Sequence, residues 1–148
     1  MPGVLLVMAA AGVAVPAAKQ KNPYSVFTAD HLESTMKTVG LNFGGANQAL
    51  TKGDYDTAKP QFIRLREQLA TTITFWRDHK RDDAIKLVRT AVTALDELDT
   101  VLSAEKVDQA AAAGLVKRVG GACQSCHAVY REQDPATKAY RIKPGVVQ

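Results

Sequence analysis

Aromatic side chains make up only 6% of the 148 residues, with one tryptophan, and cysteine occurs just twice. A structural zinc site takes four ligands, and the chain has no second cysteine pair to complete one. There is no run of lysines and arginines, and no basic patch interleaved with aromatics. The mild excess of 19 Lys and Arg over 15 Asp and Glu therefore argues against a nucleic-acid partner. No stretch alternates apolar and polar residues convincingly enough to read as a strand, and no internal repeat appears. Plentiful alanine and leucine point to helices instead.

The first eighteen residues, MPGVLLVMAAAGVAVPAA, lack any charged side chain; the first is Lys19. The apolar run from Val4 to Val15 is short for a membrane span and suits the hydrophobic core of a signal peptide. Residues 1–18 are read as an export signal or, if uncleaved, an anchor, although the usual basic residue at the start is missing. Cleavage leaves no stable membrane insertion. Export means a periplasmic, oxidising setting, in which a free Cys-x-x-Cys would be oxidised or chemically occupied. Residues 19–28 read as a polar linker.

What the chain does have is helical periodicity. Leu32, Met36, Val39, Phe43 and Leu50 form one apolar face from about Ala29 to Leu50, with Thr28 or Asp30 as its cap. A second stripe runs Tyr55, Ala58, Phe62, Leu65, Leu69, Ile73 and Trp76, with Pro60 in its opening turns. A third uses Ile85, Val88, Val92, Leu95, Leu98 and Leu102, and Ser103 is a candidate N-cap for the last helix. The fourth takes Val107, Ala111, Leu115, Val119, Ala122, Cys126 and Val129, ending near Glu132. Four amphipathic helices with short turns predict an all-α, antiparallel up-down-up-down four-helix bundle over residues 29–132. Residues 133–148 are left as a basic tail, in which Pro135 and Pro144 oppose further helix.

Both cysteines fall in the last helix, in the run GACQSCHAVYRE. On a helix, residues i+3 and i+4 project within about 60° of residue i, so Cys123, Cys126 and His127 share one face. Haem c needs that arrangement: two thiols bond the porphyrin's vinyl groups while an imidazole from the same turn reaches iron. Cys-x-x-Cys-His is the attachment signature for this cofactor. A redox dithiol is the alternative, but such motifs open a helix in a βαβ setting, whereas this one closes the last helix of an apparently helical chain.

VGGACQSCHAVYRE at the end of a fourth helix resembles the class II c-type cytochromes, the cytochrome c′ and low-spin cytochrome c-556 group. TMKTVGLNFGGANQALTKGDYD in the first helix is similar to the same family, and the resemblance spans Leu32 to Glu132. It implies one covalent haem on Cys123 and Cys126 with His127 as axial ligand. Helix offsets place Met36 at the same end of the bundle as His127, and the low-spin members carry a methionine ligand at the matching position. The distal alternatives are His79, or a vacant site that binds nitric oxide or carbon monoxide as in cytochromes c′. The resemblance also implies that Arg131 holds a propionate. By topology Trp76 either walls the haem or packs the core, and Gly120 and Gly121 leave room beside a flat macrocycle.

With both axial positions filled, the expected activity is one-electron transfer rather than catalysis, since no distal acid–base pair is visible. Lys37 and Lys117 are candidate contacts for an acidic redox partner. Relatives in this family often dimerise through their first two helices. The segment between the second and third helices, RDHKRDD, is shorter than in the family, which predicts an exposed haem edge.

Overall fold

The computed structural model describes residues 28–147. The expected export signal, and the linker up to residue 27, lie outside the described residues. The four helices are, in chain order, α1 (Ala29–Thr51), α2 (Tyr55–Asp78), α3 (Asp82–Leu102) and α4 (Gln109–Tyr130). Among the described residues no helix is long and apolar enough to cross a membrane.

The caps explain the starts. The Thr28 hydroxyl accepts from the His31 amide (3.3 Å), the Asp54 carboxylate from Thr57 (3.1 Å) and the Asp108 carboxylate from Ala111 (3.0 Å). Each satisfies an amide that has no partner inside its own helix. Asp108, not Ser103, therefore caps α4. Ser103 instead closes α3, its hydroxyl turning back onto the Asp99 carbonyl at 2.6 Å. Pro60 lies past the first four residues of α2, so its missing amide costs one helical bond rather than none.

The apolar stripes meet in one core. Leu65, Leu98, Ala46, Ala58, Ala94, Ala112 and Val119 are fully enclosed. Successive helices approach closely, α1 with α2, α2 with α3 and α3 with α4, and the short turns between them require each pair to run antiparallel. The arrangement is compatible with a four-helix bundle. Gly45 shows the closeness of α1 and α2, since a methyl group there would collide with the Gln61 side chain. Gly44 faces open space and takes no part. The backbones of α1 and α4 do not approach as closely as those of successive helices.

The fourth stripe needs correcting. Ala111 and Val129 are exposed, and the core positions are Ala112, Val116, Val119, Ala122 and Tyr130. An Ala-rich opening, AAAAG, offers several equivalent faces. Steps of four from Val107 drift off the 3.6-residue period, and Tyr130 rather than Val129 completes the buried line.

The tail is a second departure. Two three-residue strands, β1 (Arg131–Gln133) and β2 (Tyr140–Ile142), pair antiparallel, so Glu132 faces Arg141 across the expected boundary at 132/133. Strands this short show no readable period, so the sequence pattern alone reads as all-α. Asp134 builds the turn: its carboxylate accepts from the Ala136 and Thr137 amides at 2.9 and 2.8 Å. These bonds hold its pKa below the usual carboxylate value. The chain then returns to the helices. The Lys143 amide donates to the Tyr130 carbonyl (2.9 Å), its ammonium to the Ala128 carbonyl (2.7 Å), and the Arg81 guanidinium to the Val146 carbonyl. Ile142, Val146 and Val147 pack on the core, and β2 lies against α1. The tail thus covers the end of the molecule where α1 and α3 begin and α2 and α4 finish.

Candidate functional site

That covered end carries the chemistry-bearing residues. Cys123, Cys126 and His127 are half-buried on one face of the last turns of α4, while Gln124 and Ser125 between them are exposed. Both cysteines are free and pack against the core. Burial pushes the Cys123 thiol up. Burial, with the neighbouring Cys123 and the Asp83 carboxylate, takes Cys126 to about 11. Burial, then the Arg131 guanidinium, lowers His127 below the ordinary histidine value. At neutral pH the site therefore presents two protonated thiols and a neutral imidazole with a free nitrogen lone pair. The helix adds to this, because its carbonyl end carries partial negative charge that disfavours thiolate.

An aromatic stack joins the end of α4 to the end of α2. The Tyr130 ring lies 4.7 Å from Trp76, Trp76 meets Phe75 edge-on at 5.0 Å, and Phe75 contacts the His79 ring at 4.1 Å. Tyr130 is buried and its hydroxyl donates to the Asp83 carboxylate at 2.6 Å, tying the end of α4 to the start of α3. The bond to Tyr130 holds Asp83 below the usual carboxylate range. Burial first, then that bond, takes Tyr130 up to about 12.

Trp76 is only 2% exposed, and its indole N–H has no acceptor. Leaving a buried donor unpaired costs about 1–3 kcal/mol. It is the donor that a bound group carrying an acceptor would satisfy.

His79 caps α2, with Nδ1 2.8 Å from the Phe75 carbonyl. A carbonyl only accepts, so Nδ1 carries a proton and donates it there. Met36 is half-buried on α1 at this end, packed against the core and seven residues from the helix start. That offset is about 10 Å along the axis, against about 5 Å for His127 from the end of α4. The Arg131 guanidinium sits 4.2 Å above the Tyr140 ring, on the hairpin. Gly121 faces open space, while a methyl group on Gly120 would touch Phe43 of α1 at an ordinary 3.8 Å.

Of the sequence-derived candidates, Cys123, Cys126 and His127 share a face, Trp76 stacks on Tyr130 at the end of the same helix, and Met36 and His79 stand at the same end of the molecule. Sequence reading missed Tyr130 and Asp83. The available signal was spacing, since Tyr130 follows Cys126 by four and continues its line.

Among the described residues no group of three or more His, Cys, Asp and Glu side chains is arranged to hold a bare metal ion. The residues do fit haem c in three respects. The thiols and imidazole stand at attachment spacing on a half-buried face. The unpaired buried donor belongs to Trp76, whose ring packs on Tyr130 of α4, and α1 and α4 are spaced more widely than successive helices. No family model matches this chain, and no match was found among curated proteins or solved structures.

Proposed function

We propose that the chain is an exported, periplasmic monohaem cytochrome of the class II kind, a four-helix bundle that carries one electron at a time. The observation that carries this reading is the shared half-buried face of Cys123, Cys126 and His127 at the closing turns of α4. Cys123 and Cys126 would hold the haem covalently, and the His127 imidazole would be a ligand to its iron. When bound, the haem supplies the reversible Fe(III)/Fe(II) couple. Met36 on α1 would supply a second ligand, and a thioether raises the reduction potential relative to a second nitrogen. The unpaired Trp76 N–H would be a donor for an acceptor on the bound cofactor. The apolar core and the C-terminal hairpin keep water from this end.

The rival dithiol chemistry needs a thiol poised as thiolate, which proteins obtain at a helix N-terminus or beside a cation. Here the thiols stand at the opposite end of a helix, with Asp83 as the nearby charge on Cys126.

Spectra of the matured protein test the assignment. Wild type is expected to be low-spin in both oxidation states. Met36→Ala should become high-spin and take up carbon monoxide or nitric oxide rapidly. An unchanged low-spin spectrum in Met36→Ala would move the distal role to His79. High-spin wild-type protein would mean a vacant distal site and a gas-binding cytochrome.

A further inference from the structure

An open groove of about 960 Å³ runs along α3 from the site end toward mid-helix, between the end of α2 and Arg118 of α4. Its apolar floor includes Ile73 and Ile85, both half-buried against the core. Arg77, Lys86, Arg89 and Arg118 line it, opposed by a single carboxylate, Asp82. Four cations to one acid line the groove, against 19 to 15 in the whole chain. Arg77 and Arg118 already have acidic neighbours, Asp78 at 3.5 Å and Glu97 at 2.6 Å. Lys86 and Arg89 are exposed and form no ion pair among the described residues. Lys37, a sequence candidate for docking, is engaged by Glu33 at 2.8 Å instead.

We propose that this groove is the docking face for an acidic protein that exchanges electrons with the haem, a reading that rests on the proposed function. An apolar floor with a charged rim has the anatomy of a transient interface. The uncompensated cations would steer an acidic face to the end of the molecule where Trp76 and Tyr130 back the attachment face. No aromatic side chain lines the groove to stack a base, which favours a protein over a nucleic acid.

The test uses isotope-labelled holoprotein, reduced, titrated at low ionic strength with a hexaglutamate peptide. Amide shifts are expected to cluster at Lys86, Arg89, Thr90 and Thr93, and to vanish at high salt as the charges are screened. They should be lost in Lys86→Gln/Arg89→Gln and kept in Lys37→Gln/Lys117→Gln. Both pairs lie on exposed helix faces, and the helical circular dichroism of each variant verifies folding. Shifts scattered over the surface, or following Lys37 and Lys117, would overturn the proposal. So would equal shifts from inorganic phosphate at matched charge, which would make the groove a simple anion site. The absorption spectrum of the same sample reports haem attachment, so a colourless sample overturns the proposed function, while a coloured one without groove shifts overturns only the docking face.

Discussion

Replacing Tyr130 with phenylalanine removes one oxygen atom and little else. The ring keeps its place against Trp76, so the loss is the 2.6 Å bond to the Asp83 carboxylate. Hydrogen bonds to charged groups contribute about 1.5–3 kcal/mol. Asp83 is exposed and regains water when abandoned, which places the loss near the lower end, about 1.5 kcal/mol. For a chain of this size each kcal/mol moves the melting temperature by about 2–4 °C, giving a drop of about 3–6 °C. The pH dependence sharpens the test. Tyr130 is raised to about 12 in the folded state, above an ordinary value of 10.0, so its contribution is complete below pH 10 and is lost as pH climbs toward 12. Asp83 is lowered, so its share is present above its ordinary value of 3.8 and disappears as pH falls below that. Urea and thermal unfolding of wild type and Tyr130→Phe across pH should therefore show a gap that is flat between those limits and shrinks at both ends. A gap absent at neutral pH, or one that widens above pH 10, would refute this reasoning.

The same contacts carry other expected outcomes. Trp76→Phe removes the unpaired donor, so it should cost less in protein without haem than in matured protein; equal losses in the two forms would leave the indole N–H with no role toward the cofactor. As the chain has a single tryptophan, its fluorescence should also be strongly quenched on maturation. Lys143→Ala removes the ammonium bond to the Ala128 carbonyl and should lower stability by about 0.5–1.5 kcal/mol while speeding amide exchange in β1 and β2; unaltered exchange would mean the hairpin does not depend on that anchor. Leu65→Ala, at a fully enclosed position, should cost about 2–5 kcal/mol in denaturant unfolding, and a loss below about 1 kcal/mol would show the core there to be loosely packed.

Much of the fold is legible in the sequence because helical period and burial coincide. Leu32, Val39, Leu50, Phe62, Leu65, Leu69, Leu95 and Leu98 are buried as their spacing predicts. The motif is also readable, since residues at i, i+3 and i+4 on a helix share a face whatever surrounds them. Legibility fails where the signal is not periodic. The alanine-rich start of α4 has no unique apolar face, so its apparent line runs through Ala111 and Val129 instead of Ala112 and Tyr130. The hairpin rests on a side-chain turn at Asp134 and on strands of three residues, which leave no pattern. The partnership of Tyr130 with Asp83 joins residues 47 apart. The contact of Arg131 with the Tyr140 ring likewise reaches a tail residue that no spacing links to it.

The most direct test of the central claim is the intact mass of the full chain, produced with a haem-maturation system and measured after denaturation in acid. The account predicts the mass of the mature polypeptide plus one haem, with the colour retained on the unfolded protein and lost when Cys123 and Cys126 are both replaced by serine. A colourless polypeptide of unmodified mass, or a haem that departs on unfolding, would contradict it.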